Sequence, residues 1–270
     1  MIVAIMLSGC MQTTSIDEAV DEGLSTENKS TIVGENSLTT NAIDLNGLLP
    51  NAIDLNGLEP SLLSNNVLLA LQDPGQLGTN SRLLYKYIVG CALDTNESIS
   101  FSWTDSLGIP HLEIYWGALG LASAWKLTSI DESAQRSVSA CLAARANYYG
   151  IPVTISIRGP QPSISAVDAA EQAAFPKEEG AFWGDLFDGS PQLYACHNSA
   201  NIANSRSKFR DCAAGHSDNG QTVECGYIKI VGDCDALCAA LDPNDFHRPN
   251  CYDDEMGTTT TDVVTVFLPQ

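Results

Sequence analysis

Eight of the nine cysteines lie between positions 91 and 251, and that even set limits the fold more than any other feature of the chain. Cys91, Cys141, Cys196, Cys212, Cys225, Cys234, Cys238 and Cys251 read as four disulfides in an exported protein, a core held by cross-links as well as by apolar packing. Eight cysteines allow far too many pairings for sequence to choose among them. Spacing favours one pair, Cys91 with Cys141, because the other six crowd between 196 and 251. Each bridge is expected to add about 2–4 kcal/mol, mainly by restricting the unfolded chain. Metal is the competing reading: Cys212-x3-His216, Cys234-x3-Cys238 and His247-x3-Cys251 offer thiolates and imidazoles. Structural zinc favours tight cysteine pairs in reducing compartments, and only one such pair is present, so no metal is expected.

The ninth cysteine stands apart. Leu7-Ser8-Gly9-Cys10 follows the apolar run Ile2 to Met6 and resembles a bacterial lipobox, where a leader is removed and the new N-terminal cysteine is lipidated. The first basic residue is Lys29, so this reading expects the true start upstream of Met1. It predicts lipidation at Cys10 and attachment to the membrane through acyl chains. Met11 after the cysteine leans toward the outer membrane. No later segment offers the ~18 apolar residues of a membrane span.

Thirty-three acidic and thirteen basic residues give a net charge of −20. Nucleic-acid binding needs a basic face and is excluded on that ground. The densest basic stretch, Arg206-Ser-Lys208-Phe-Arg210, is expected as a solvated loop beside Cys212 rather than as one face of a strand. Acidic loops at Asp242-Pro-Asn-Asp245 and Asp253-Asp-Glu255 carry oxygen ligands for calcium, and neither completes a calcium-loop pattern.

Residues 1–10 form the shortened signal, and 11–35, polar and acidic, read as a flexible tether. Asn41-Ala-Ile-Asp-Leu-Asn-Gly-Leu-Leu-Pro50 recurs almost unchanged at Asn51 to Pro60. The finer period is five, with an aliphatic at Leu38, Ile43, Leu48, Ile53, Leu58, Leu63 and Leu68. This resembles the pentapeptide-repeat proteins over about 35 residues, too few for stacked coils to stand alone. Residues 36–75 are therefore expected as an extended spacer packed on the main domain.

The globular domain is placed at 81–270, with a possible subdomain from 161. Leu83, Leu84, Tyr87, Ile88 and Cys91 follow helical spacing behind an Asn80/Ser81 cap. Ile99, Phe101 and Trp103 alternate, as do Leu112, Ile114 and Trp116, so two strands follow. Ser129-Ile-Asp-Glu132 reads as a capping box opening one long helix, about 129–149, that ends near Gly150. Strands are expected at 153–157, 223–231 and 262–268, short helices at 168–174 and 235–241, and an aromatic turn at Gly180-Ala-Phe-Trp183. The order lacks regular βαβ alternation, so the fold class is α+β with a mixed or antiparallel sheet.

No elbow, zincin, phosphate-loop or dinucleotide motif is present. Ser123-Ala-Trp-Lys126 and Ser217-Asp-Asn219 match the first two motifs of penicillin-binding proteins, but the third, Lys-Ser/Thr-Gly, is missing. His111, His197, His216 and His247 read as loop histidines, none singled out as catalytic. Trp103, Tyr115, Trp116, Trp125, Phe182 and Trp183 would serve as a sugar-stacking platform, although core packing is the favoured reading.

The run Ser139 to Gly159, with Glu179-Gly-Ala-Phe-Trp-Gly-Asp-Leu-Phe187 and Leu193-Tyr-Ala-Cys196, resembles an uncharacterised cysteine-rich lipoprotein family of myxobacteria and their relatives. That resemblance supports an address at the cell envelope and implies no activity. Together these features predict a membrane-anchored binding or structural module with an unknown protein or glycan partner, no cofactor and no nucleic acid. The alternative is an extracytoplasmic hydrolase acting on a polymer; whether the chain is an enzyme stays open.

Overall fold

The computed structural model describes residues 31–32, 38–39, 55–244, 246–254 and 256–270. Cys10 and its lipobox, nearly all of the tether and most of the repeat lie outside the described residues. Two short strands from that region are described, β1 (Thr31–Ile32) and β2 (Leu38–Thr39).

The last repeat units do not stay extended. Leu58 and Leu63 are buried, and α1 (Asn65–Gln72) then takes over behind a Ser64 cap. Helical geometry brings Val67 and Leu71, one turn apart, to the core face and ends the period of five. The next helix, α2 (Gln76–Ala92), starts ahead of the expected Asn80/Ser81 cap. Its N-cap is Gly75, and the Asp73 carboxylate accepts from the amides of Gly75 and Gly78 at 2.8 and 3.2 Å. Ser81 instead donates its hydroxyl to the Leu77 carbonyl inside the helix.

β3 (Ser98–Thr104) and β4 (Pro110–Trp116) form an antiparallel hairpin against α2. α3 (Glu132–Arg145) is capped by Asp131, whose carboxylate accepts from the Ala134 amide, and not by Ser129. The fold thus holds two long helices where one was expected. α3 also stops at Arg145, because Ala146 turns into extended backbone and enters β5 (Ala146–Asn147), which pairs with β2.

The rest of the chain builds and covers one mixed sheet. β6 (Ile155–Arg158) is followed by α4 (Pro162–Ser165) and by α5 (Ala169–Ala174), capped by Asp168. β7 (Lys177–Asp185) and β8 (Gln192–His197) pair antiparallel. α6 (Ile202–Ser207) precedes a small hairpin, β9 (His216–Asp218) and β10 (Gln221–Val223). The single strand expected over 223–231 is therefore two, and the second, β11 (Ile228–Asp233), leads into α7 (Cys234–Leu237). β12 (Cys251–Asp253) pairs with β13 (Thr258–Thr260), and β14 (Val264–Leu268) ends the fold. The sheet order is β1-β6-β14-β7-β8-β11, antiparallel except where β11 runs parallel to β8.

α3 packs on β7, and α2 packs on α3. The expected aromatic turn at 180–183 is the centre of β7. Phe182 enters the main core, while Ala181 and Trp183 enter a smaller core on the other face with Tyr194, Cys196, Cys234 and Val263. A strand buried on both faces shows no polar alternation, so it does not read as a strand. Gly180 is required there, since a Cβ would stand 2.0 Å from the Cys196 carbonyl oxygen.

Four disulfides tie these layers: Cys91–Cys141 joins α2 to α3, Cys196–Cys234 joins β8 to α7, Cys212–Cys225 brackets the β9–β10 hairpin, and Cys238–Cys251 fastens the loop before β12. The class is α+β. Among the described residues no helix is long and apolar enough to cross a membrane.

Candidate binding site

The chemistry gathers where α6 ends, because that end is built with an unusual residue. Lys208 caps the helix, the Phe209 amide bonds to the Arg206 carbonyl, and the Arg210 amide reaches back to the Ser205 carbonyl at 2.9 Å. This is a Schellman stop, whose turning position normally falls to glycine. Here it is Phe209, with φ at 57° and the residue 52% exposed. A non-glycine residue in this conformation costs about 1–2 kcal/mol.

What holds Phe209 there is buried charge. The guanidinium of Arg210 is fully buried and donates to Glu179 at 2.9 Å, to the Ala146 carbonyl and to the Ala144 carbonyl. Burial pushes the Glu179 carboxyl up from its ordinary range, and the Arg210 charge pulls against it. The 206–210 stretch differs from the solvated loop expected of it. Instead Arg206 donates to the Gly215 carbonyl, Lys208 to the Gln270 carbonyl, and Arg210 is core.

A second turn meets Phe209 from the end of α3. Asn147 is buried and donates to the carbonyls of Ile151 and Phe209, while its Oδ1 accepts from the Tyr149 amide. This clamps Tyr148 and Tyr149 beside Phe209. The rings of Tyr149 and Phe209 meet edge to face at 5.6 Å, and Tyr148 stacks flat on His216 at 3.8 Å.

Beneath the rings lies a carboxylate. Asp211 is 3% exposed, and its Oδ2 receives the Tyr149 hydroxyl at 3.1 Å and Nδ1 of His216 at 2.8 Å. A carboxylate only accepts, so His216 in its neutral form carries its proton on Nδ1 and presents Nε2 as an acceptor. The Tyr149 hydroxyl is held above its ordinary pKa, first by desolvation and then by the Asp211 charge. Asp211 Oδ1 is buried without a hydrogen-bond partner. The result is a rigid aromatic surface of Tyr148, Tyr149, Phe209 and His216 fixed from below by Asp211, Asn147 and Arg210.

Other residues of interest fall elsewhere. All eight cysteines expected in disulfides are so bonded, which removes the thiolates of the zinc reading. The grouping of Asp211, Cys212 and Cys225 leaves only one free ligand, because its two sulfurs are bonded to each other. Lys126 of the Ser-x-x-Lys motif lies in a 3-10 turn and pairs with Glu59, while Ser217-Asp-Asn219 runs over the tip of the β9–β10 hairpin. His111 bonds to Asp105 and stacks on Trp103, and His247 is buried. Asp253 is spent on Arg136 and the Met256 amide, and Asp242 on the Asn244 amide.

Core packing, the favoured reading of the six aromatics, holds for most of them, and no sugar platform is assembled from the set. Tyr115, Trp125, Phe182 and Trp183 are core, Trp103 is sandwiched between Arg82 and His111, and Trp116 alone is well exposed. Tyr148, Tyr149 and Phe209 were missed as site residues, Tyr149 because it follows the helical spacing of α3. No family model, no curated protein and no solved structure matches this chain.

Proposed function

We propose that this protein is an exported, lipid-anchored binding module of the bacterial cell envelope that captures a neutral glycan on the Tyr148–Tyr149–Phe209–His216 surface. The observation that carries the reading is Phe209: a large aromatic ring held exposed at a backbone position that glycine fills without strain. Strain of this kind collects where function requires it. Exposed aromatic rings with locked rotamers are the usual anchors of recognition surfaces, since they offer large contact area at small entropic cost. The Tyr149 hydroxyl and Nε2 of His216 supply polar partners for sugar hydroxyls. A net charge of −20 disfavours anionic polymers, and the four side chains of the surface include no carboxylate to select a cationic one, so a neutral polymer is proposed.

The envelope address rests on Cys10 at the Leu-Ser-Gly-Cys motif and on the disulfides, which belong to an oxidising compartment. The resemblance to a myxobacterial lipoprotein family and the short pentapeptide-like repeat fit a domain held away from a membrane, the outer membrane in this proposal. Radiolabelled palmitate should enter the protein expressed from its native gene and not its Cys10→Ser variant.

A second reading has one observation in its favour. Asp211 and His216 at 2.8 Å are arranged as in dyads where the carboxylate orients the imidazole and Nε2 acts as a general base. That base would activate water for hydrolysis of the same polymer. Electrophoresis through gels containing neutral polysaccharide, with reducing ends assayed alongside, separates the two. The binding reading predicts retardation that Tyr149→Ala and Phe209→Ala abolish, with no sugar released. Release of reducing ends that disappears in His216→Ala would replace it with the hydrolase.

A further inference from the structure

The β3–β4 hairpin carries a surface that the binding site does not use. Its inner face packs on the core: Tyr115 and Phe101 meet Tyr85 edge to face, and Trp103 bonds through its indole nitrogen to Glu113. Its outer face has opposite composition. β4 presents Pro110, Leu112, Ile114 and Trp116 there, and each is paired across the ladder with a small hydroxyl residue of β3, Thr104, Ser102, Ser100 or Ser98. The tip adds Leu107 and Ile109, the first 83% exposed.

This apolar face is held rigid. The Asp105 carboxylate accepts from the amides of Leu107 and Ile109 and bonds to His111, so the turn is fixed in shape. No third strand joins the ribbon among the described residues, and edge protection by lysine is missing, since the segment 98–116 holds no lysine or arginine.

Charge decides what fits. The chain carries −20, yet the outer face carries no charged side chain, and Glu113, the one carboxylate of β4, points inward to Trp103. The absence of cations gives anionic lipid headgroups or an acidic peptide no ion pair here, so a partner on this face is held by apolar contact. Two copies of this acidic chain repel each other over most of their surfaces, and this uncharged apolar strip is where they can meet. Burying Leu107, Ile109, Leu112, Ile114 and Trp116 removes on the order of 600 Å² of surface per copy, large for a patch on a monomer and most of the roughly 800 Å² per partner of a standard interface.

We infer that the outer face of the β3–β4 hairpin, centred on Leu112, Ile114 and Trp116, is the contact through which two copies of this chain form a symmetric dimer. A two-fold axis perpendicular to the strands lays β4 of one copy antiparallel over β4 of the other, apolar strip on apolar strip and hydroxyl rows at the rim. Because the contact is apolar and the copies are like-charged, added salt screens the repulsion and tightens the dimer, the reverse of an ion-paired interface.

Sedimentation equilibrium on the full chain carrying Cys10→Ser tests this, from about 1 to 100 µM protein and from low salt to about 0.5 M. The inference expects a monomer–dimer equilibrium that strengthens with salt. Ile114→Lys should weaken it by 100-fold or more and Trp116→Ala by at least tenfold, both with unchanged melting temperature at a dilution where all three proteins are monomeric, since these side chains face solvent in the monomer. A monomer throughout the range would overturn it. So would a dimer that either variant leaves intact. Flotation with neutral phosphatidylcholine vesicles, lost in Ile114→Lys while the protein stays monomeric, would assign the face to a bilayer instead.

Discussion

Phe209 offers the sharpest test of the physical reasoning, because two substitutions there remove the same ring and differ only in the backbone. In the native chain the residue sits at φ 57°, at a cost of about 1–2 kcal/mol for any side chain with a Cβ. Its ring returns part of that through the edge contact with Tyr149, a pair of the kind that contributes about 0.5–1.5 kcal/mol. Phe209→Ala loses the contact and keeps the strain. Phe209→Gly loses the contact, relieves the strain and gives up about 0.5–1 kcal/mol to the freer unfolded chain. Glycine should therefore leave stability within about 1 kcal/mol of the native chain and exceed alanine by about 0.5–1 kcal/mol. Equilibrium urea unfolding with disulfides intact reads the order, provided the slope is common to all three proteins. An alanine variant as stable as the glycine variant would refute the claim that strain is stored at this cap.

The buried pair beneath the surface should matter more than its surface neighbours. Glu179→Gln removes the partner of a fully buried Arg210 and is expected to cost about 3 kcal/mol or more in the same unfolding assay. Replacing Cys91 and Cys141 together by alanine opens a link across 50 residues and should cost about 4 kcal/mol, whereas the Cys212–Cys225 link, across 13, should cost about 3. The hairpin tip has an acid limit. Hydrogen bonding to His111 and to the Ile109 amide holds Asp105 below the ordinary carboxylate range, so its contribution is intact above pH ~4 and is lost as pH falls through the lower folded value. Protection of the Leu107 and Ile109 amides, taken relative to the intrinsic exchange rate at each pH, should hold at pH ~4 and fall below it.

The elements with a clean period were legible in the sequence. The alternation of Ile99, Phe101 and Trp103 against Leu112, Ile114 and Trp116 is the β3–β4 hairpin, and the isolation of Cys91 and Cys141 from the other six led to a disulfide that the structure contains. Elements whose surroundings override local pattern were not. β7 is buried on both faces and shows no alternation, so its aromatic residues passed for a turn. The capping box at Ser129 lost to Asp131 two residues later, a shift that propensity does not distinguish. The candidate site was least visible of all. Asp211 and Tyr149 stand 62 residues apart and meet only through packing, and nothing in Lys208-Phe-Arg210 announces that the phenylalanine turns the chain. The helical spacing that placed Tyr149 on α3 was broken by tertiary contacts, chiefly the pairing of β5 with β2 and the clamp made by Asn147.

The central claim is that a neutral glycan sits on Tyr148, Tyr149, Phe209 and His216. Titration of isotopically labelled protein with a neutral oligosaccharide, followed through aromatic-ring NMR resonances, tests it most directly. The account predicts saturable shifts confined to those four rings, absent in Phe209→Gly although that variant remains folded. Shifts centred on Trp116, or none at any ring while the protein still binds the parent polymer, would contradict it.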